Sequence, residues 1–208
     1  MNQKERMLAG LPYKAWLDGL EEEREQCKQK IYEFNMLPPS GRDRIPALLK
    51  DLFGKTGEEL WIEPPFHCDY GWNIEVGENF FANYNLTILD VGKVTIGKNA
   101  QIAPNVSIYT AGHPLHPDSR NSGYEYGIPV TIGDNVWIGG GAIILPGVTI
   151  GDNVVIGAGS VVGKDIPDNM LAAGNPCRII REITEEYRKY YFKQREFDEE
   201  SWEEISGV

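Results

Sequence analysis

Residues 131–163 read TIGDNVWIGGGAIILPGVTIGDNVVIGAGSVVG, and an aliphatic side chain returns at every sixth position. The series is Ile132, Ile138, Ile144, Ile150, Ile156 and Val162, and Gly follows each of them except Ile144. If about a quarter of positions are aliphatic, so long an unbroken run arises by chance about once in 4,000 trials. Four residues behind it runs a second phase of small or β-branched residues: Val136, Ala142, Val148, Val154, Ser160 and Ile166. Upstream, Ile96, Ile102 and Ile108 keep the period with Ala100 and Val106 in the second phase, and Val76, Ala82 and Ile88 extend it backwards beside Phe80 and Leu86. Between Ile88 and Ile96 the step lengthens to eight, which marks a two-residue insertion in DVGK.

A hexad is neither a helical turn nor a whole number of heptads. It fits one flat side of a prism, a short strand followed by a bend that Gly or Asn makes sterically easy. Three such sides make a coil, and stacked coils pair strand to strand as parallel sheets. The inward residue fills the axis and is therefore aliphatic, while bends at GEN, GKN and GDN face water. Independent hairpins or a sandwich would also carry Gly-rich turns, but nothing in them would hold one period over two long stretches. The expected fold is mainly β: a parallel β-helix over 58–182 with an inserted loop at about 109–129, an N-terminal helical segment over 1–57 and a short helical C-terminal tail over 183–208.

In the N-terminal segment, residues 11–37 are predicted helical, with Leu17, Leu20, Ile31, Phe34 and Leu37 as apolar contacts and EEERE as a solvated face. PPSGRDR breaks the chain, IPALLKDLFG reads as a short helix from Pro46 to Gly54, and PPF at 64–66 precedes the coil. Beyond Pro176 the hexads end. ITEEYRKYYFKQREFDEESWEE is expected to pack outside as a helix or tail, with Tyr187, Tyr190, Tyr191 and Phe192 docking on this chain or on another subunit.

The 208 residues allow one sizeable domain with appendages, and 41% hydrophobic content is enough for a core. A net charge of −11 counts against nucleic acid or an anionic membrane as partner. Cys27, Cys68 and Cys177 form no CxxC pair and are read as reduced thiols. No signal-peptide run opens the sequence and no stretch is long enough to span a bilayer, so a soluble, cytoplasmic protein is expected.

The period fails between Ile108 and Val130, in YTAGHPLHPDSRNSGYEYGIP. Solenoids tolerate insertions at corners, and binding residues often lie there. His113 and His116 are both here. His113 reads as a general base, since neutral imidazole is suited to take a proton near pH 7. Equally, the HxxH pair could bind zinc with His67 or another subunit, as in zinc carbonic anhydrases built on such coils, or His113 could be a turn residue without chemistry. Glu125 in the same loop could orient a histidine. Near the end of the coils, Lys164, Arg178 and Arg181 either offer local positive charge to phosphates or are ordinary surface cations.

The segments FHCDYGWNIEVGENFFANYN, TAGHP and PVTIGDNVWIGGGAIILPGVTIGDNVVIGAGSVV closely resemble the maltose and galactoside O-acetyltransferases, members of the hexapeptide-repeat acyltransferases. The resemblance runs from about residue 5 to 182 and is densest from 60 onward. It implies a left-handed coil, a homotrimer with sites between neighbouring subunits, and acetyl transfer from acetyl-CoA to a hydroxyl of a sugar such as maltose, glucose or a galactoside, without a metal. It implies His113 as base and the amide of Gly140 as oxyanion donor. Asp69 and Asn83 would contact the acceptor, with Arg24 and Tyr13 of the N-terminal segment and Glu125 beside them. Ala158 and Gly163 would meet the pantetheine arm through their backbone, Trp137 would line its groove, and Lys164, Arg178 and Arg181 would meet the nucleotide phosphates. Gly140 departs from the Ser, and Gly163 from the Thr, usual in the family. The rival expectations are a zinc lyase on the same coil and a non-catalytic trimeric scaffold.

Overall fold

The computed structural model describes residues 1–207. Three parallel sheets form the sides of a prism. The first side stacks Leu60–Ile62, Phe80–Ala82, Gln101–Ile102, Trp137–Ile138, Val155–Ile156 and Met170–Ala173, and is edged by the antiparallel strand Arg178–Glu182. The second stacks Phe66–Cys68, Leu86–Leu89, Ser107–Tyr109, Ile143–Ile144 and Val161–Val162. The third stacks Ile74–Val76, Val94–Ile96, Val130–Ile132 and Thr149–Ile150. The chain visits the sides in that order, coil after coil.

Register follows the hexads. Ile62, Ala82, Ile102, Ile138, Ile156 and Ala172 lie one above another on the first side. Cys68, Ile88, Ile108, Ile144 and Val162 do so on the second, and Val76, Ile96, Ile132 and Ile150 on the third. Every residue of the series from Ile132 to Val162 is at most 1% exposed, and the second phase is buried with it. Ser160, the polar member of that phase, is satisfied: its hydroxyl donates to the Gly157 carbonyl at 2.5 Å and accepts from the Gly174 N–H at 3.1 Å.

The corners explain GEN, GKN and GDN. Asn79, Asn99, Asn135, Asn153 and Asn169 turn the edge between third and first sides in the left-handed region, at φ between 56° and 60°. Asn tolerates that conformation better than other non-Gly residues. Each side-chain amide donates to the next Asn carbonyl oxygen, at 3.2, 2.8, 2.9 and 2.9 Å, so the edge is a continuous ladder. The edge between second and third sides is longer: eight residues separate Cys68 from Val76 as well as Ile88 from Ile96. The predicted insertion in DVGK is thus one of two, stacked on each other, and the inserted loop leaves at the same edge of the next coil.

Helices α1 (Gln3–Leu8), α2 (Leu20–Asn35) and α3 (Ile45–Leu52), with a 3₁₀ turn at Pro39–Arg44, cap the open end of the coil. Ile31, Phe34, Ile45 and Leu49 share one core with the first strands, and Phe34 and Phe53 meet the ring of Phe66 edge-on, with centroids 6.4 and 5.7 Å away. Cys27 and Cys68, distant in sequence, bring their sulfurs to 3.6 Å and are both free thiols.

Two expectations about the flanks are corrected. The helix predicted over 11–37 begins only at Leu20, because Asp18 and Gly19 turn the chain at φ 56° and 87°; Leu17 is 41% exposed and makes no core contact. The tail is only partly helical: a 3₁₀ turn at Glu185–Lys189 leads into a hairpin of Tyr190–Phe192 with Arg195–Glu196, and only then α5 (Glu199–Ser206). The run of three consecutive aromatics at 190–192 suits a strand better than a helix. Among the described residues no helix is long and apolar enough to cross a membrane.

Asn135→Ala is expected to cost about 2 kcal/mol, combining left-handed strain with loss of its ladder hydrogen bonds. Asn135→Gly, which relieves the strain, is expected to lose about half as much; comparison of denaturant midpoints checks both.

Candidate functional site

The inserted loop begins as an antiparallel ribbon, Ala111–Gly112 against Tyr126–Gly127. A Cβ on Gly112 would lie 2.5 Å from the Tyr126 ring, so a side chain there would have to displace that ring from across the ribbon. The carbonyls of Pro114 and Leu115 accept from the Arg120 guanidinium at 3.2 and 2.9 Å, which holds the turn from its far side. His113 is left with a side chain 58% exposed, its Nε2 4.0 Å from Glu125 Oε2.

Glu125 also joins the loop to the N-terminal segment. Its Oε1 accepts from the Tyr13 hydroxyl at 2.5 Å, and the two backbones exchange hydrogen bonds at 2.9 and 3.0 Å. Tyr13 is fully buried; burial and the Glu125 carboxylate hold its phenol far above the usual range, so it stays a donor.

The stacked long corners lie next to this loop. Asp90, buried, accepts from the N–H groups of Asp69, Tyr70 and Gly71 at 2.8, 3.0 and 2.8 Å and so shapes the turn that presents Asp69. Burial raises the Asp90 carboxyl against those hydrogen bonds. Burial and then the Asp90 charge push Asp69 up to about 6, with Arg24 opposing. Arg24, from α2, donates to the Tyr70 hydroxyl at 2.8 Å and the Ala15 carbonyl at 2.7 Å. A cavity of about 280 Å³ is lined by Arg24, Asp69 and Glu125 together with Ala15, Val91 and Ala111. Asp90, Tyr70 and Arg120 were not anticipated; the equal eight-residue steps of CDYGWN and DVGK were the available signal for Asp90.

The other predicted residues lie elsewhere on the chain. Asn83 and Gly140 follow strands of the first side and turn the edge toward the second, as does Ala158. The Asn83 side chain accepts from the Tyr84 N–H at 2.8 Å. The Gly140 N–H has no protein acceptor among the described residues. Trp137 points outward from the first side, 55% exposed. The three cations do not share one position: Arg178 and Arg181 are on the last strand of the first side, whereas Lys164, with Gly163, follows Val162 at the edge that carries the loop. His116 caps the short helix α4 (Pro117–Asn121), its Nδ1 accepting from the Asp118 N–H at 3.3 Å, and His67 lies exposed on the second side. Among the described residues no three His, Cys, Asp or Glu side chains gather as a metal group.

Asp69 is a carboxylate whose folded value, about 6, exceeds its ordinary 3.8. Its contribution favours the folded state below the ordinary value and is lost as pH rises through about 6. Asp69→Asn is therefore expected to gain stability relative to the parent chain across that window, read from denaturation midpoints at a series of pH values.

Comparison with known proteins agrees with this geometry. Residues 6–57 match the maltose acetyltransferase hexapeptide capping motif, and residues 129–164 match the bacterial transferase hexapeptide pattern of six repeats. The chain is 52% identical over 193 residues to the galactoside O-acetyltransferase of Escherichia coli K12, covering 93% of this chain and 95% of that protein. A galactoside acetyltransferase solved in complex with coenzyme A superposes with a TM-score of 0.92 at 50% identity, over 95% of this chain and 99% of that one. A maltose O-acetyltransferase of Clostridium difficile 630 does so at 0.88 and 57%, over 89% and 99%. With that identity over nearly the whole of its length, the chain belongs to the hexapeptide-repeat family of galactoside and maltose O-acetyltransferases and is an acetyltransferase.

Proposed function

We propose that this chain transfers acetyl from acetyl-CoA to a sugar hydroxyl, with His113 as general base. The observation that carries the reading is the exposed imidazole 4.0 Å from Glu125, a carboxylate that itself lines a cavity with Asp69 and Arg24. Carboxylates and a guanidinium accept from and donate to sugar hydroxyls, and the apolar walls of Ala15, Val91 and Ala111 suit the C–H face of a sugar ring. Acetyl-CoA, whose thiol form accompanies a close relative, supplies an already activated acyl group, so no enzyme nucleophile is required. His113 takes the hydroxyl proton as the oxygen attacks and returns a proton to the departing sulfur. Glu125 stabilises the imidazolium formed in between.

The tetrahedral oxyanion needs a donor, and the uncommitted Gly140 N–H is suited to it. A Cβ at Gly140 would stand 3.2 Å from the Pro104 carbonyl oxygen, so a Ser would fit after a small shift, and this chain relies on the backbone alone. Gly140 and Asn83 turn a different edge from His113. A prism side of one hexad is about 20 Å long, too far for one chain to bring the two edges to one substrate. A second copy presenting its Asn83–Gly140 edge to the His113 edge completes the site, which supports a homotrimer with three shared sites. Lys164 on one edge and Arg178 with Arg181 near the other would then meet the nucleotide from two subunits. Free thiols and a dependence on acetyl-CoA fit a cytoplasmic setting.

Incubation with acetyl-CoA and a panel of maltose, glucose and galactosides is expected to release thiol with at least one acceptor. His113→Ala should lower kcat by about 10² to 10⁴ while leaving coenzyme A binding intact; thiol release untouched by that change would overturn the assignment. Mixing inactive His113→Ala with weakened Asn83→Ala chains, after dissociation and reassembly, should restore part of the activity, because some interfaces then receive both intact edges. Absence of any recovery in confirmed mixed trimers would refute the shared site.

A further inference from the structure

Cys27 of α2 and Cys68 of the second side are 41 residues apart in sequence, yet their sulfurs lie 3.6 Å from each other and both are free. We propose that they are a modification site: a dithiol that a hydroperoxide closes to an intramolecular disulfide, fastening the N-terminal cap to the coil. The chemistry of the pair stands apart from the function proposed above, and only its effect on the acceptor cavity rests on that reading.

Placement and access both support it. α2 lies along the strand Phe66–Cys68 and is anchored on either side of Cys27. The Asn35 side chain accepts from the Phe66 N–H at 2.8 Å and donates to the Phe66 carbonyl at 2.9 Å, while Arg24 donates to the Tyr70 hydroxyl at 2.8 Å. Between these anchors the two sulfurs face each other, and the remaining approach of about 1.5 Å to a disulfide is within reach of side-chain rotation. Cys27 also lines a cavity of about 360 Å³ with Lys4, Glu23, Tyr70 and Trp72, which has room for a small peroxide. Cys177, held in the last coil by its N–H bond to the Val161 carbonyl at 2.9 Å, has no second thiol beside it.

The two thiols have different parts. Burial, the hydrogen bond with Cys27 and the nearby Asp90 and Asp69 charges hold the Cys68 thiol well above its ordinary value, so it keeps its proton. Cys27, on the cavity, is the sulfur that meets the oxidant. It attacks one peroxide oxygen, the O–O bond breaks, and the departing alkoxide takes the Cys27 proton; a sulfenic acid and an alcohol result, or water from hydrogen peroxide. The Cys68 sulfur then attacks the sulfenic sulfur. The S–S bond forms, the S–O bond breaks, and hydroxide leaves with the Cys68 proton as water. Two electrons pass from the thiols to the peroxide, and a dithiol reductant returns them by exchange. In a reducing compartment such a pair rests as thiols and closes transiently under oxidant. The new bond would join two walls of the acceptor cavity: Arg24 is one turn before Cys27 on the same helix face, and Asp69 follows Cys68. Drawing the sulfurs together therefore shifts the guanidinium relative to the carboxylate.

Treatment of the intact protein with hydrogen peroxide, followed by blocking of the remaining thiols with N-ethylmaleimide in denaturant and peptide mass mapping, tests the site without relying on turnover. A linked Cys27–Cys68 peptide is expected, with Cys177 still blocked by maleimide as the internal control. Cys27→Ala and Cys68→Ala should each abolish the linked peptide, and either variant suffices if the other does not fold. The oxidised parent should unfold about 5 to 10 °C higher than the reduced one, and dithiothreitol should reverse the shift. Oxidation should also raise KM for the acceptor that releases most thiol by about threefold, leave coenzyme A affinity unchanged, and have neither effect on Cys27→Ala. Maleimide on both cysteines after peroxide treatment, or sulfinic acid at Cys27 with no linked peptide, would overturn the site. A linked peptide with an acceptor KM that does not rise would overturn its tie to the cavity. A parent chain that releases no thiol with any acceptor would instead defeat the proposed function, while the linked peptide would still be read by mass.

Discussion

The whole molecule depends on one packing constraint: each inward aliphatic side chain rests on its counterpart in the coil below. The paired strands are only two to four residues long, so no single ladder holds much register by itself. Repetition supplies what length does not. With side chains alternating between axis and solvent, a slip of one residue would expel an entire row of Ile and Val from the axis at once. The Asn ladder imposes the same register from outside, because each amide finds its partner only when the corners are superposed.

A prism so constrained along its sides is free to vary at its corners, and the buried and titratable polar groups gather where it does. Two corners on one edge carry extra residues and a third carries the inserted loop, so Asp69, Asp90 and His113 come to neighbouring positions although they lie on three successive coils. The buried Asp90 carboxylate makes the arrangement stiff: three backbone N–H groups converge on it and the turn bearing Asp69 cannot drift. That stiffness is gained against the cost of burying one carboxylate beside another, which the elevated Asp69 and Asp90 express.

The N-terminal cap is tied to the same place. α2 seals the end of the coil with Ile31 and Phe34 while turning Arg24 toward the cavity, and the irregular segment before it inserts Tyr13 against Glu125. Cap, coil and loop therefore meet at one site, each supplying a different kind of group. A change in the N-terminal segment would alter the cavity wall that holds Arg24 and the support that Tyr13 gives Glu125.

Much of this was legible in the residues. The hexads determined the coil, its inward rows and the place of its interruption, because burial on a repeating axis leaves a one-dimensional trace. Asn in the bends was legible too, since few residues accept a left-handed corner. The flanks were less so: an apolar spacing over 11–37 suggested helix where Asp18 and Gly19 turn the chain, and the aromatic tail formed a hairpin. What the sequence by itself determined was the fold and the candidate base. Only the tertiary structure decided that Arg24, Asp69 and Glu125 share a cavity while Asn83 and Gly140 turn another edge. Such neighbours lie in different coils or in the cap, and contact across coils depends on corner length and stacking, which no local pattern records.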